Sequence, residues 1–282
     1  MKALHAFDEK DLATFEPTTK VGLLATVNPR GLPHLSLITT LQAKTPTQLV
    51  WGQFTEGLSK EHVKANPKTG WLIMTLDRRL WRGKALYTRA ATEGEDHVMM
   101  NNKPMFRYNA YFGIHTVHYM DLVETGGEES LPLAGIGAAL VATLAARRFA
   151  GAGETERILT PWGEGLLNRI GVPKFLGHVG DDGYPVVVPV LQCRAAGSRR
   201  LVFSPLAYRD ELSRVPAGRE VAVFGMSLEM EDVLVRGTYR GVRRFGPARL
   251  GVLDINYVYN SMPPNHRQIY PPVPLTPVTE FE

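Results

Sequence analysis

Leu24-Ala-Thr-Val-Asn-Pro-Arg-Gly31-Leu-Pro33 reads as the end of an apolar strand, a tight turn and the start of a second strand. Asn28-Pro-Arg-Gly31 supplies the hairpin residues, because glycine takes a positive φ without a Cβ clash. The same ending returns as Gly183-Tyr-Pro185, behind Leu176-Gly-His-Val179. Gly31 to Gly183 is a shift of 152 residues, and Pro33 to Pro185 gives the same shift. Without a gap, Leu49-Val50-Trp51 then falls on Leu201-Val202-Phe203. Further on, Arg82-Gly83 matches Arg236-Gly237 at 154, and Gly113 and Tyr119 match Gly251 and Tyr257 at 138. A register kept over several segments is the signature of an internal duplication.

Working outward, each half reads as antiparallel β. Val21 to Val27 is an apolar strand, and Pro33 to Leu41 a second. Leu35, Leu37 and Leu41 are expected on one face of that second strand, and His34, Ser36 and Ile38 on the other. Leu49 to Phe54, Trp71 to Leu76, Trp81 to Thr88 and Ala110 to Val123 continue the sheet, while Ser59 to Asn66 reads as a short helix stopped by Pro67. Many strands with one short helix, and no βαβ alternation, predict closed barrels. The fold class is mainly β: two tandem split-barrel units with accessory helices, at 1–125 and 173–282, joined by a helical linker at 126–172.

That linker holds Leu131 to Ala146, a run of sixteen nearly all apolar residues, where a membrane span needs about twenty. Ser130 and Pro132 suit a helix start and Gly151 a helix end. Leu133, Ile136, Leu140 and Leu144 are expected on one side, with a small-residue side of Ala134, Ala138, Ala142 and Ala145. Such a helix suits close packing, so a homodimer is expected and a membrane partner is not. A second helix is expected over Trp162 to Ile170.

At 282 residues, with 44% hydrophobic and 21% charged residues, the chain has the composition of an ordinary globular protein. The formal charge of +4 is spread along it, and no Lys/Arg run interleaves with aromatics. That argues against nucleic acid and fits an anionic small ligand. A lone cysteine, Cys193, cannot form an internal disulfide or a cysteine zinc site. With no apolar leader at the N-terminus, the expected location is cytoplasmic. Walker loops, dinucleotide fingerprints, nucleophile elbows and zincin helices are all missing from the sequence.

The most informative chemistry lies in Leu49-Val-Trp-Gly-Gln-Phe-Thr-Glu-Gly-Leu-Ser59-Lys60-Glu-His-Val63-Lys-Ala-Asn66-Pro67. A strand leads into a loop, and a Ser-Lys pair opens a helix. Hydroxyl, ammonium and first-turn N–H groups together make a phosphate site. The plainer reading of the same residues is an N-cap at Ser59 and a solvated lysine.

Gly31-x-Pro33, the alternating strand, Leu49 to Trp51, Ser59-Lys60, Val63, Asn66-Pro67 and Arg82-Gly83 together resemble the FMN-binding split barrels of the pyridoxamine 5'-phosphate oxidase type. The resemblance covers about residues 15 to 123, and 173 to 260 more faintly. It implies FMN as cofactor, lying along the second and third strands. Ser36, Leu37, Ile38 and Thr39 would follow the ring and ribityl chain, Gly52 and Gln53 would border the ring, and Ser59 and Lys60 would take the phosphate. Arg82 would add charge. Pyridoxamine-phosphate oxidases carry Arg and Lys on the second strand, where this chain has Ser36 and Leu41, and a basic pair in the phosphate loop, where Leu58 precedes Ser59. The cofactor class therefore carries over better than the substrate.

Arg107, Tyr108 and Asn109 crowd in ahead of a strand and are the candidates for substrate contacts, or else barrel packing. His115 and His118, three apart on a strand, point to opposite faces and cannot share a metal. In the second half, Tyr208 and Arg209 fall on Ser59 and Lys60, but Asp210 and Glu211 follow at once and would repel a phosphate. The second half is thus expected to be a structural partner. Three functions stand: an FMN-dependent oxidoreductase acting on a small-molecule substrate, a flavin-binding electron carrier serving a redox partner, and a haem-binding barrel ligated by His115, His118 or His178.

Overall fold

The computed structural model describes residues 3–104, 113–151, 153, 156–227, 229, 231–260 and 267–273. It divides into two compact units, Met1–Leu131 with Val179–Val187, and Pro132–His178 with Val188–Glu282. Each unit is built around its own antiparallel sheet.

The first sheet uses β1 (Val21–Val27), β2 (Pro33–Leu37), β3 (Gln42–Thr45), β4 (Gln48–Gln53), β5 (Lys68–Met74), β6 (Arg79–Ala91), β7 (Thr116–Thr125) and a two-residue β8 (Glu129–Ser130). Their order is β2-β1-β5-β6-β7-β4-β3, with β8 on β6. The two edge strands, β2 and β3, are only four residues apart in the chain. A turn at 38–41 therefore joins the two strands that end the sheet. Three helices serve this sheet: α1 (Glu9–Phe15), α2 (Leu58–Ala65) and α3 (Glu95–Asn102).

In the second half α4 (Leu133–Ala146) and α5 (Pro161–Asn168) precede β9 (Lys174–Val179) and β10 (Pro185–Pro189). Then come β11 (Arg194–Ala195), β12 (Arg200–Phe203), a 3-10 turn Pro205–Tyr208 with α6 (Arg209–Leu212), β13 (Glu220–Met226), β14 (Asp232–Phe245), β15 (Ala248–Asn260) and β16 (Arg267–Tyr270). The order β10-β9-β13-β14-β15-β12-β11 repeats that of the first sheet. Both sheets are split barrels, as the residue pattern predicts.

The pairing corrects the register of the repeat. Leu24 faces Trp71 as Leu176 faces Val223, and Leu72 faces Arg82 as Phe224 faces Leu234, so the shift stays at 152 through β6. Both strands also break register at the same places, after Lys84 and Arg236 and again after Tyr87 and Tyr239. Arg82 therefore corresponds to Leu234, and its likeness to Arg236 is coincidental. Trp51 faces His118 where Phe203 faces Gly251, which puts β7 on β15 at 133, not 138. The difference from 152 means that the first half carries nineteen more residues between these strands. They comprise the α3 segment, whereas β14 and β15 are joined by a tight turn.

Three further expectations change. The strand expected over Pro33 to Leu41 ends at Leu37. After the turn, Leu41 points with Ile38 into the core instead of sharing a face with Leu35. The helix expected to start at Ser59 is capped one residue before Leu58, by Gly57 in extended backbone. Along α4 the buried residues are Ile136, Ala139, Thr143 and Ala146, while Leu133, Val141 and Leu144 are exposed, so the leucine side is not the packed one. Among the described residues no helix is long and apolar enough to cross a membrane.

The core of the first barrel is aromatic. Trp51, Trp71, Trp81, Phe7 and Phe15 interlock with Leu24, Ile73 and Met120, and three edge-to-face ring pairs have centroids 5.2–5.4 Å apart. Burying such rings contributes about 1.5–3 kcal/mol each. Outside this barrel, α3 covers the β4–β7 face with Met100 and Ile114 against Val50, Val117 and Tyr119. In the second barrel, Ala146 and Ala150, at and just beyond the end of α4, cover the equivalent face against Val202, Leu250 and Val252.

Candidate functional site

Alternation along β4 sends Leu49 and Trp51 inward, and Gln53 follows them to the barrel's polar end. There His118 of β7 stacks on Trp51, with centroids 3.8 Å apart and planes within 10°. Its Nε2 lies 2.9 Å from Gln53 Oε1 and its Nδ1 3.4 Å from the Tyr87 hydroxyl. Gln53 Nε2 donates to Glu56 Oε1 at 2.8 Å. A carboxylate only accepts, so Glu56 fixes the amide's orientation and presents Gln53 Oε1 to the histidine. His118 must then donate from Nε2 and accept at Nδ1 from Tyr87. Burial, with the charges of Lys60 and Lys64 adding, pushes its pKa down to about 3, so the ring is neutral. Both ring nitrogens are engaged, which leaves no lone pair for haem iron and removes His118 as an axial ligand. His115 lies just ahead of β7 and bonds Thr116 Oγ1 through Nδ1 at 2.7 Å.

Helix α2 sits over the same end of the barrel. His62 lies 3.0 Å from Thr26 Oγ1 and meets His34 edge-on at 5.1 Å. That contact fixes the helix start, where Ser59 is buried and Lys60 half-buried. Lys60 N–H bonds back to Gly57 at 3.1 Å, while the N–H groups of Leu58 and Ser59 have no partner within the helix. A Cβ at Gly57 would lie 3.2 Å from Lys60 Nζ, so the glycine leaves room for the ammonium to lie across the loop. Lys60 forms no ion pair among the described residues. Burial lowers its pKa, with Glu56 partly offsetting the shift. A hydroxyl, an ammonium that feels Glu56 but makes no ion pair among the described residues, and two N–H groups thus lie at one helix start, and this donor set fits a phosphate.

The remaining residues expected around FMN do not all converge. Ile38 lies in the core, Ser36 is buried in line with it, and Leu37 and Thr39 are half-buried. Gly52 is closed over: a Cβ there would meet Ile114 at 2.6 Å and Met100 at 3.0 Å. Its backbone is held by Thr40, whose hydroxyl donates to Gly52 O at 2.8 Å and accepts from Gly52 N at 2.9 Å. No aromatic ring can lie against Gly52. Gln53 faces inward, committed to His118 and Glu56. Arg82 is drawn into an ion pair with Glu129, Nη2 to Oε2 at 2.9 Å, so it does not serve a phosphate at Lys60. Arg107, Tyr108 and Asn109 lie outside the described residues.

Sequence reasoning missed the Tyr87–His118–Gln53–Glu56 chain. The Gln-x-x-Glu spacing was visible, but Tyr87 and His118 join it only through strand pairing. It also missed Asp96 of α3, which accepts from Tyr119 at 2.6 Å and pairs with Lys44, while Arg89 stacks over Tyr119 at 3.5 Å.

The second unit differs at the corresponding place. Its 3-10 turn and four-residue α6 replace the eight-residue α2. Helix α4 packs on that turn, with Thr143 Oγ1 accepting from Ser204 N at 2.9 Å. Gly251 stands where His118 does, leaving room for the Phe203 ring, which stacks with Tyr239 at 6.0 Å.

No protein-family model matches the sequence, and no curated protein matches it. Solved structures do resemble it. An FMN-binding protein from Syntrophomonas wolfei is 16% identical, over 44% of this chain and 86% of its own, with a TM-score of 0.37. A putative pyridoxamine 5'-phosphate oxidase from Lactobacillus delbrueckii is 19% identical, over 44% and 98%, with a TM-score of 0.36. HupZ from Group A Streptococcus is 12% identical, over 42% and 91%, with a TM-score of 0.36. Each spans less than half of this chain and most of its own length.

Proposed function

We propose that this chain, a tandem pair of split barrels of the pyridoxamine 5'-phosphate oxidase type, binds one FMN through its first unit and acts as an oxidoreductase on a small molecule. The observation that carries the reading is the Ser59–Lys60 cradle at the start of α2. Its ammonium is half-buried with no ion-pair partner among the described residues, and its hydroxyl and N–H groups point to an oxyanion. The flavin supplies the electron-transfer chemistry when bound. Ser59 and Lys60 hold its phosphate. Tyr87, His118 and Gln53 order the barrel end, and Lys60 supplies positive charge at the cradle, partly offset by Glu56. The ring lies away from Gly52, whose open side is filled by Met100 and Ile114.

The test is an absorption spectrum of the purified protein after loading with FMN and removing free ligand. One flavin per chain is expected. Lys60→Ala should weaken FMN by about 1–3 kcal/mol, roughly fivefold to 150-fold, for the loss of a charge-assisted bond. Retention of full affinity in that variant would move the phosphate away from α2.

A further inference from the structure

In the second unit, two basic side chains, Lys174 and Arg194, are fully buried, and among the described residues neither is paired with a carboxylate. Lys174, on β9, donates only to Arg169 O at 2.7 Å. Arg194, which opens β11, donates from Nη1 to Leu191 O at 2.9 Å and Cys193 O at 2.6 Å. Its Nε and Nη2 meet no acceptor among the described residues. A buried guanidinium with two idle donors is costly unless something satisfies it. Burial and then the charge of Arg194 bring Lys174 down to about 7, and burial lowers Arg194, with Cys193 opposing and Arg147 adding.

A cleft of about 280 Å³ begins at Ala195, the residue after Arg194, and is lined by Arg147, Arg148, Gly151, Asn168, Ala195, Ala196 and Gly197, with Arg194 itself buried outside the lining. Arg147 spends one nitrogen on Asn168 Oδ1 at 2.9 Å, and that oxygen also accepts from Ala195 N at 3.0 Å. Neither Arg147 nor Arg148 has a carboxylate partner among the described residues. Arginines just past the end of α4 would by themselves only complement the helix dipole. Behind Ala195, Arg194 adds a buried guanidinium with two idle donors, close enough for the Arg147 charge to lower its pKa, and among the described residues no carboxylate lines the cleft.

We propose that this cleft is a binding site for a small oxyanion of the phosphate class, held by Arg147 and Arg148 at its wall, with the buried guanidinium of Arg194 behind them. The volume suits a phosphate group and not a flavin ring system. The site is separate from the α2 cradle and does not depend on it.

The experiment titrates inorganic phosphate into the full chain in chloride buffer at constant ionic strength, by calorimetry and thermal unfolding. Binding at this site and a melting temperature above that in chloride alone are expected. The double variant Arg147→Ala/Arg148→Ala should weaken phosphate about tenfold or more. Arg194→Gln should do the same, and the surface pair keeps the test valid if that buried change prevents folding. Lys60→Ala should leave this affinity unchanged, even where it abolishes flavin binding. Glycerol 3-phosphate binding more tightly than phosphate would identify the group as the head of a larger ligand, and equal binding a free ion. No phosphate binding, or binding lost with Lys60→Ala but kept by the arginine double variant, overturns the proposal.

Discussion

The two barrels share one strand order, and a shift of 152 as far as β6 and β14, yet they are finished differently at the loop after β4 and on the outer face beside it. Both cover the outer face of β4 and β7, or of β12 and β15, but with different pieces of chain. The first uses α3, inserted between β6 and β7; the second uses the end of α4, which arrives before its own first strand. In the first, the loop after β4 is left to form an eight-residue helix with an open, charged start. In the second, α4 lies on that loop, and only a 3-10 turn and one helical turn remain. Inside, Trp51 and His118 build a hydrogen-bonded polar end, whereas Phe203 lies over Gly251 and fills the same space with a ring. A duplicated scaffold thus tolerates two solutions for its core, and one of them keeps donors facing a possible ligand.

That comparison is broken most severely by exchanging the residue that distinguishes the two interiors. His118→Gly, which copies the second barrel, removes a buried stacked ring and strands Gln53 Oε1. It should cost about 3–5 kcal/mol, as for deletion of a large core ring. The reciprocal step is smaller. Gly251→Ala brings a Cβ to within 2.7–2.8 Å of the Phe203 ring, and should cost about 1–3 kcal/mol by overpacking. Urea unfolding measures both. Equal and small effects would mean that the interiors are interchangeable after all.

How far the sequence reveals this can be followed through particular residues. The shift of 152 was visible from Gly31 and Pro33, because turns and prolines constrain backbone and so persist in pattern. It was lost after β6 because Arg82-Gly83 and Arg236-Gly237 look alike, although pairing places Arg82 on Leu234. Hydrogen-bond register is not written in composition. The α2 cradle was legible as Ser59-Lys60, since a helix start is a local event. Closure of Gly52 by Met100 and Ile114 was not, because those residues come from about fifty and sixty positions away. Arg194 was passed over for a similar reason: its importance lies in what does not surround it.

Buried lysines sharpen the comparison from another side, because each unit has one. Lys20 is pushed down to about 7 by burial and then by Lys103, and Lys174 to about 7 by burial and then by Arg194, from an ordinary value of 10.5. Between about pH 7 and 10.5 the unfolded chain holds a proton at each site that the folded chain has released. Stability therefore rises with pH across that window, by up to about 1.4 kcal/mol per pH unit for each lysine, and the gain is lost as pH falls toward 7. In phosphate-free buffer, Lys20→Met and Lys174→Met should each flatten the slope of unfolding free energy between pH 7 and 9. A slope unchanged by both substitutions would place the lysines in water.

The smallest expected effect falls on Arg209, expected from the sequence to match Lys60 but brought by the constant shift of 152 onto Gly57. It opens a helix of only four residues, is followed by Asp210 and Glu211, and lines a cleft with Arg249 and with apolar residues that include Val141, Ala142, Pro205 and Leu206. Two carboxylates within two residues cancel the field that a phosphate would need, and α4 occupies the approach that α2 leaves open. Arg209→Ala should therefore change FMN affinity by less than about 0.5 kcal/mol, the range of a surface substitution away from any site. Measured beside Lys60→Ala under the same loading conditions, it separates a scaffold with one cradle from a scaffold with two. A loss comparable to that of Lys60→Ala, together with two flavins per chain, would mean that α4 does not close the second site.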